Sequence, residues 1–132
     1  MSVIRISVFL LAIAVAGNAE AKTVTGTWKI KDLVVRVYDC KNRVCGRIVW
    51  LEDPSRRRHD CGRLIVWGLA GNGSNEWDGG SILDPDDSYT YRLSAVLQRD
   101  GTLRARIFEG DPVFGQTEIL RRVSLRSFGG TC

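Results

Sequence analysis

The sequence has 132 residues, a formal charge of +4, four cysteines and one histidine. This length suits one domain with a modest core. The Lys and Arg residues are scattered through strand-like segments instead of being gathered on one helix, which argues against a nucleic-acid-binding protein.

The first residues are typical of a secretory signal peptide. Arg5 precedes an apolar run over residues 6–17, and Ala19-Glu20-Ala21 is a small-residue cleavage site. The run is shorter than the roughly twenty apolar residues that cross a bilayer. We therefore predict a signal peptide over residues 1–21 and a soluble domain over residues 22–132. The domain is expected to be exported to an oxidising compartment, and it is not expected to span the membrane.

All four cysteines follow the predicted cleavage site, and an even number in an exported chain predicts two disulfides. Three pairings are possible. Cys40 with Cys45 is favoured, because turn-forming residues 41–43 bring them opposite one another across a hairpin. Cys61 then pairs with Cys132 by elimination.

Short β-type segments separated by turn residues follow one another, and no helical period is convincing. Arg63 to Trp67 is too short to classify, Gly68 to Glu76 is expected to be a connection, and Asp100-Gly101 predicts a hairpin. The predicted strands are Thr23 to Ile30, Leu33 to Asp39, Val44 to Leu51, Ser81 to Leu83, Tyr89 to Gln98, Thr102 to Phe108 and Phe114 to Val123.

This pattern of about seven or eight strands predicts an all-β fold. Hairpin connections favour a small antiparallel up-and-down barrel, since closure removes the exposed strand edges. A β-sandwich is the alternative architecture.

Residues with catalytic or metal-binding chemistry form no convincing site. His59 lies in a polar loop with Arg56, Arg57 and Arg58, where a solvated histidine is expected. A zinc site of His59 with three cysteines has irregular spacing, and no Cys-x-x-Cys motif is present. The carboxylates considered for glycoside cleavage or calcium binding occur in turn-forming contexts: Glu76, Asp78, Asp84, Asp86 and Asp87. We therefore expect no enzyme activity, metal or cofactor.

Several motifs together resemble a known family. They are Gly26-Thr27-Trp28, Asp39-Cys40, Cys45-Gly46-Arg47-Ile48-Val49-Trp50-Leu51, Trp77-Asp78-Gly79-Gly80, Ile82-Leu83-Asp84-Pro85, Tyr89-Thr90-Tyr91, Asp100-Gly101-Thr102-Leu103 and Leu120-Arg121-Arg122-Val123. These motifs make the chain similar to the exported bacterial family called domain of unknown function 2147. The resemblance implies a small lipocalin-like barrel that is periplasmic or secreted from a Gram-negative bacterium, and it implies no established activity.

Lipocalin-like barrels also display Gly-x-Trp in the first strand and an Arg on the last strand. By this resemblance Gly26 and Trp28, with Arg121 or Arg122, are expected to close one end of the barrel through a cation–π contact.

The aromatic residues offer the best candidate for a binding site. An eight-stranded barrel is just wide enough to hold one small ligand, and apolar enclosure with a few polar groups gives such a site its affinity. The candidate lining residues are Trp50, Trp67, Trp77, Tyr89 and Tyr91, with plain core packing as the alternative. We therefore expect a binder of a small apolar or amphipathic ligand in the cell envelope. The alternative is a filled barrel that contacts an envelope protein or an anionic surface through residues 56–58.

Overall fold

The structure is a computed structural model that describes residues 3, 4, 12 and 23–132. The signal peptide predicted over residues 1–21 therefore falls almost entirely outside the described residues. Within the described part of the chain, no helix is both long and apolar enough to cross a bilayer.

Eight antiparallel strands form one closed barrel, in which each strand pairs with its neighbours in sequence and the last returns to the first. The barrel prediction is confirmed, and the β-sandwich alternative is wrong. The strands are β1 (Gly26–Ile30), β2 (Leu33–Cys40), β3 (Arg43–Leu51), β4 (Leu64–Gly71), β5 (Glu76–Leu83), β6 (Thr90–Leu97), β7 (Leu103–Phe108) and β8 (Gln116–Arg122).

Up-and-down topology divides the connections between two ends of the barrel. The β1–β2, β3–β4, β5–β6 and β7–β8 connections lie at one end, which we call the open end. The opposite end carries the other three hairpins and the segment before β1, and we call it the closed end. One short helix, α1 (Arg57–Asp60), lies in the β3–β4 connection.

Alternating side chains build the core, because successive residues of a strand point to opposite faces. In β2, Val35 and Val37 join the core while Arg36 between them is exposed. Trp28 and Ile48 are completely buried. Burying each such side chain contributes about 1.5–3 kcal/mol relative to leaving it in water.

Strands β4 and β5 are longer than the sequence pattern indicated. The interval from Gly68 to Glu76 was expected to be a connection, but β4 runs to Gly71 and β5 starts at Glu76. Glycine within these strands has a packing reason, since a Cβ on Gly80 would lie 2.5 Å from the Leu69 side chain. Within the interval that suggested a loop, Gly71 also packs closely, since a Cβ there would lie 3.0 Å from Trp77 Nε1.

The structure contains the disulfides Cys40–Cys45 and Cys61–Cys132, with Cα atoms 5.9 Å apart in each. These are the pairs that the sequence favoured. The first joins β2 to β3 beside their two-residue turn. The second ties the end of the chain to the β3–β4 connection, which is at the open end.

The chain after β8 packs against the outside of β3. The Trp50 and Phe128 rings are 4.7 Å apart, and Cys132 N donates a hydrogen bond to the Val49 carbonyl at 2.7 Å. Val34, directly across from Trp50 on β2, is completely buried. The Cys61–Cys132 disulfide thus holds a small apolar cluster together on the outer face of the barrel.

Arg122 and Trp28 seal the closed end. The Arg122 guanidinium lies 4.3 Å from the centre of the Trp28 ring, as in a cation–π contact. It also donates hydrogen bonds to the carbonyls of Thr25 at 2.8 Å and Thr23 at 2.7 Å. Trp28 Nε1 donates to the Val24 carbonyl at 2.8 Å. These bonds hold the N-terminal segment across the end of the barrel.

Gly26 is required in this arrangement. Its φ of 137° is one that residues with a side chain rarely adopt, and a Cβ there would lie 2.6 Å from Arg122 Nη1. Arg121, the other arginine considered for this contact, lies opposite Lys29 on the outer face. The geometry therefore assigns the contact with Trp28 to Arg122.

Candidate functional site

A cavity of about 630 Å³ opens at the open end of the barrel. Its apolar wall combines inward-facing strand residues with apolar residues at the mouth: Ile30, Leu33, Ile65, Ile82, Leu83, Ile107, Phe108 and Phe114. The volume falls within the range of pockets that enclose small molecules, about 300–1,000 Å³. The lower barrel is packed with core side chains, so this space is a cup with a closed floor.

Charged side chains surround the mouth of the cup. Five carboxylates line it, and Lys31 is the only basic residue among the lining residues of the described chain. The carboxylates are Asp32, Asp84, Asp86, Glu109 and Glu118. The site therefore combines an apolar wall with an acidic mouth, although the whole chain is basic.

Arg56 connects three of the segments at the open end. Its guanidinium lies 2.7 Å from an Asp86 carboxylate oxygen, 3.3 Å from Asp60 and 3.5 Å from Asp32. These carboxylates come from the β5–β6, β3–β4 and β1–β2 connections. Burial lowers the pKa of Arg56, but the nearby carboxylates, Asp86 first among them, outweigh burial and leave that pKa raised. Arg56 is thus a fixed positive charge that holds the mouth together.

Two tyrosines with tilted rings lie in contact beside the mouth. The Tyr89 and Tyr91 rings are 4.9 Å apart, and the Tyr91 hydroxyl donates a hydrogen bond to Asp87 at 2.8 Å. That bond raises the pKa of Tyr91 to about 12. A hydrogen bond to Glu109 raises the pKa of Tyr89. Both phenols therefore remain neutral donors at physiological pH.

One of the five aromatic residues predicted to line a pocket lies in the lining of the cup. Tyr91 lines it, and Tyr89 next to it is 50% exposed and outside the lining. Trp77 packs against the core opposite Ala95, near the closed end. Trp50 and Trp67 also lie outside the lining. Of the five candidate lining residues, Trp50, Trp67, Trp77 and Tyr89 are therefore not part of the cup lining, and only the prediction for Tyr91 agrees with it.

The physical reason is the alternation of side chains along the strands. Trp67 is next to the core residue Val66 in β4 and lies opposite Ser81, so its ring is on the outer face. Trp50 precedes the core residue Leu51 and likewise faces outward, where Phe128 covers it.

Glu118 lines the cup but was not predicted as a site residue. Glu118 lies opposite the core residue Ala105 and two positions before the core residue Leu120, so it points into the barrel. Its inward position was visible as a period of two through Gln116, Glu118 and Leu120.

The arginine loop also differs from the expectation of a free basic surface. Arg56 is engaged with carboxylates, and Arg57 donates hydrogen bonds to the Leu51 carbonyl at 3.2 and 3.1 Å. Arg58 and His59 are exposed in α1. Only part of this loop can therefore meet an anionic partner.

A more extensive basic surface lies on the outer face of β6, β7, β8, β1 and β2. In these five fully described strands, every charged side chain at an outward position is basic. We call this surface the cationic wall, and its residues are Lys29, Arg36, Arg92, Arg104, Arg106 and Arg121. Arg104 lies between the exposed side chains of Val96 and Ile119 on the neighbouring strands.

No group of three or more His, Cys, Asp or Glu side chains suited to a metal ion occurs in the part of the chain that the structure describes. The acidic residues considered for catalysis divide between the two ends. Asp84, Asp86 and Asp87 lie in the β5–β6 connection at the mouth, whereas Glu76 and Asp78 lie at the start of β5.

Comparisons with known proteins place this geometry in context. The sequence profile described as "Uncharacterized protein conserved in bacteria (DUF2147)" matches residues 26–122. No curated protein matches the chain significantly. The fold is similar to that of HP1028 from the human pathogen Helicobacter pylori, a protein described as belonging to the lipocalin family. The TM-score is 0.69, at 16% identity over 81% of this chain and 87% of that chain. At this identity the likeness shows a lipocalin-like barrel and nothing about the ligand.

Proposed function

Because this chain belongs to the bacterial family DUF2147, as its motifs predicted, and the family's description assigns no activity, we propose its function from the cavity. The protein binds one small apolar or amphipathic molecule in the cup at the open end and is a carrier rather than an enzyme. The observation that carries this proposal is the cup of about 630 Å³ with an apolar wall above a packed core.

Two features support the binding role over a filled barrel. The apolar side chains that line the cup have no core residues above them, so a ligand tail would remove their surface from water. Ion pairs of Arg56 with three carboxylates hold the connections together around the mouth. Such a pre-formed cavity lowers the entropic penalty of ligand binding.

We place the protein in the periplasm of a Gram-negative bacterium or outside the cell. The two disulfides support this location, because such bonds persist in oxidising compartments. Cell fractionation of the producing bacterium checks the proposal, and retention of the full-length chain in the cytoplasm would contradict it.

Native mass spectrometry tests ligand binding directly. The protein purified from its own compartment is expected to carry added mass that disappears on denaturation. Ile107→Trp fills the cup from β7, and it is expected to abolish the added mass. The control is Ile119→Trp, which places the same side chain on the outer face of β8. Loss of the adduct in both variants, or a bare mass in the unmodified protein, would argue against a carried ligand.

The cationic wall favours a second candidate function, attachment to an anionic lipid surface. Exposed Val96 and Ile119 beside Arg104 combine apolar and basic groups, as at interfacial membrane sites. Flotation with phosphatidylglycerol vesicles is expected to carry the protein, and Arg104→Gln with Arg121→Gln to reduce this, whereas Arg58→Gln has little effect. Equal flotation with neutral phosphatidylcholine vesicles would reject the attachment.

A further inference from the structure

Glu118 differs from the other carboxylates around the cup because it reaches the cavity from a strand. Asp32, Asp84, Asp86 and Glu109 all lie in connections between strands. The Glu118 side chain is 23% exposed and lies inside the barrel wall. Among the described lining carboxylates, Glu118 is therefore the one that belongs to the barrel wall, beside the apolar lining residues.

The partner of Glu118 is weakly held. Lys31 Nζ lies 3.3 Å from Glu118 Oε1, and the Lys31 side chain is 63% exposed at the β1–β2 turn. An ion pair with one partner in water contributes little to stability, on the order of 0–1 kcal/mol. The Lys31 ammonium can thus leave Glu118 without disturbing the fold.

The other carboxylates at the mouth are more firmly engaged. Asp86 and Asp32 share the Arg56 guanidinium, and Asp84 accepts a hydrogen bond from the backbone N–H of Asp86 at 2.8 Å. Glu109 accepts the hydrogen bond that raises the pKa of Tyr89. Glu118 is consequently the lining carboxylate with which a ligand can most readily form an ion pair.

We propose that the ligand of the cup carries an ammonium head, which replaces the Lys31 ammonium in the ion pair with Glu118. This inference rests on the function proposed for the cup. The apolar tail lies against Ile30, Ile82 and Ile107. Pairing of opposite charges is stronger in a partly enclosed cavity than in water. A ligand with a carboxylate or phosphate head would meet five carboxylates against one lining ammonium, that of Lys31, and Arg56 already engages two of those carboxylates, so such a head is less favourable at the mouth.

Three ten-carbon probes with the same tail isolate the contribution of the head group: decylamine, decanol and decanoate. Isothermal titration calorimetry of the mature protein at pH 7 is expected to show decylamine binding about tenfold more tightly than decanol, which corresponds to about 1.4 kcal/mol. Decanoate is expected to bind most weakly.

Two variants assign this preference to the ion pair. Glu118→Gln is expected to weaken decylamine about tenfold and leave decanol unchanged, whereas Lys31→Met removes the competing ammonium and strengthens decylamine. Glu52→Gln is the matched control, because Glu52 is an exposed glutamate at the same end that does not line the cup. Circular dichroism confirms that each variant is folded.

The outcomes separate this inference from the function on which it rests. Equal binding of decylamine and decanol, or equal weakening of both in Glu118→Gln, would overturn the ammonium assignment while leaving the cup as a binding site. Failure of all three probes to bind would overturn both.

Discussion

The two ends of the barrel use arginine in opposite ways. At the closed end Arg122 lies on Trp28 and satisfies backbone carbonyls, so the charge completes a packed floor. At the open end Arg56 holds carboxylates from three connections around a cup. The same residue type thus stabilises a packed core at one end and organises a polar entrance at the other.

Changes at the packed end are expected to have the largest effect on stability. Trp28→Ala removes a completely buried side chain, and truncations of this kind reduce the free energy of unfolding by about 3–5 kcal/mol. Urea denaturation measures the loss. Trp67→Ala, which truncates a half-buried tryptophan on the outer face, is the control. An equal loss in both variants would contradict the division between floor and wall.

For the disulfides, the larger contribution to stability is expected at the open end instead of the closed end. By the loop-entropy argument, a bridge with a separation of 71 residues contributes about 4 kcal/mol and one with a separation of 5 about 2 kcal/mol. Replacing Cys61 and Cys132 by Ser is therefore expected to lower the urea midpoint more than replacing Cys40 and Cys45. The opposite ranking would show that the chain after β8 adds little to the fold.

A smaller effect is expected from Arg56→Gln at the open end. The partly exposed ion pairs contribute about 1 kcal/mol together, but their loss leaves three carboxylates without a shared counter-charge. Hydrogen exchange is expected to accelerate in residues 52–62 and 84–89. Arg58→Gln, a change of the same kind at an exposed position in the same connection, serves as the control. Unchanged exchange in Arg56→Gln would show that the mouth does not depend on this residue.

The smallest expected effect concerns the proton of Tyr91. Its pKa is raised to about 12 from an ordinary 10.0, so the folded protein binds this proton more tightly than the unfolded chain. The contribution to stability is therefore complete below about pH 10 and is lost as the pH rises toward 12.

Ultraviolet absorbance titration measures this shift, with Tyr91→Phe subtracted to isolate one phenol. Asp87→Asn is expected to return the pKa of Tyr91 toward its ordinary value, because the hydrogen bond to the carboxylate is the main cause of the shift. An unchanged titration in Asp87→Asn would assign the shift to another neighbour.

The closed end was largely predictable from sequence. The family resemblance implied Gly26 and Trp28 with one of two adjacent arginines, and the spacing of Cys40 and Cys45 around a turn favoured a local bridge. The structure selects Arg122, since its neighbour Arg121 points outward from the same strand. Here the interacting groups occupy short motifs whose orientation follows from the alternation of a strand.

The cup was not predictable in the same way. Aromatic content suggested a pocket, but Trp50 and Trp67 face outward and Trp77 packs near the floor. The cup instead uses branched aliphatic residues from several strands together with Glu118. A count of large side chains cannot show which of them remain without a packing partner.

Period-two alternation and turn chemistry are local properties of the chain, so the sequence predicted most of the strands and the β2–β3 and β6–β7 hairpins, but not β4 or the start of β5. Folding of the whole barrel is needed to bring Arg56 to Asp32 and Asp86 and to turn Glu118 toward a cavity. These neighbours come from distant segments, and barrel closure sets their distances. The cup itself depends on how far the core packing extends along the barrel.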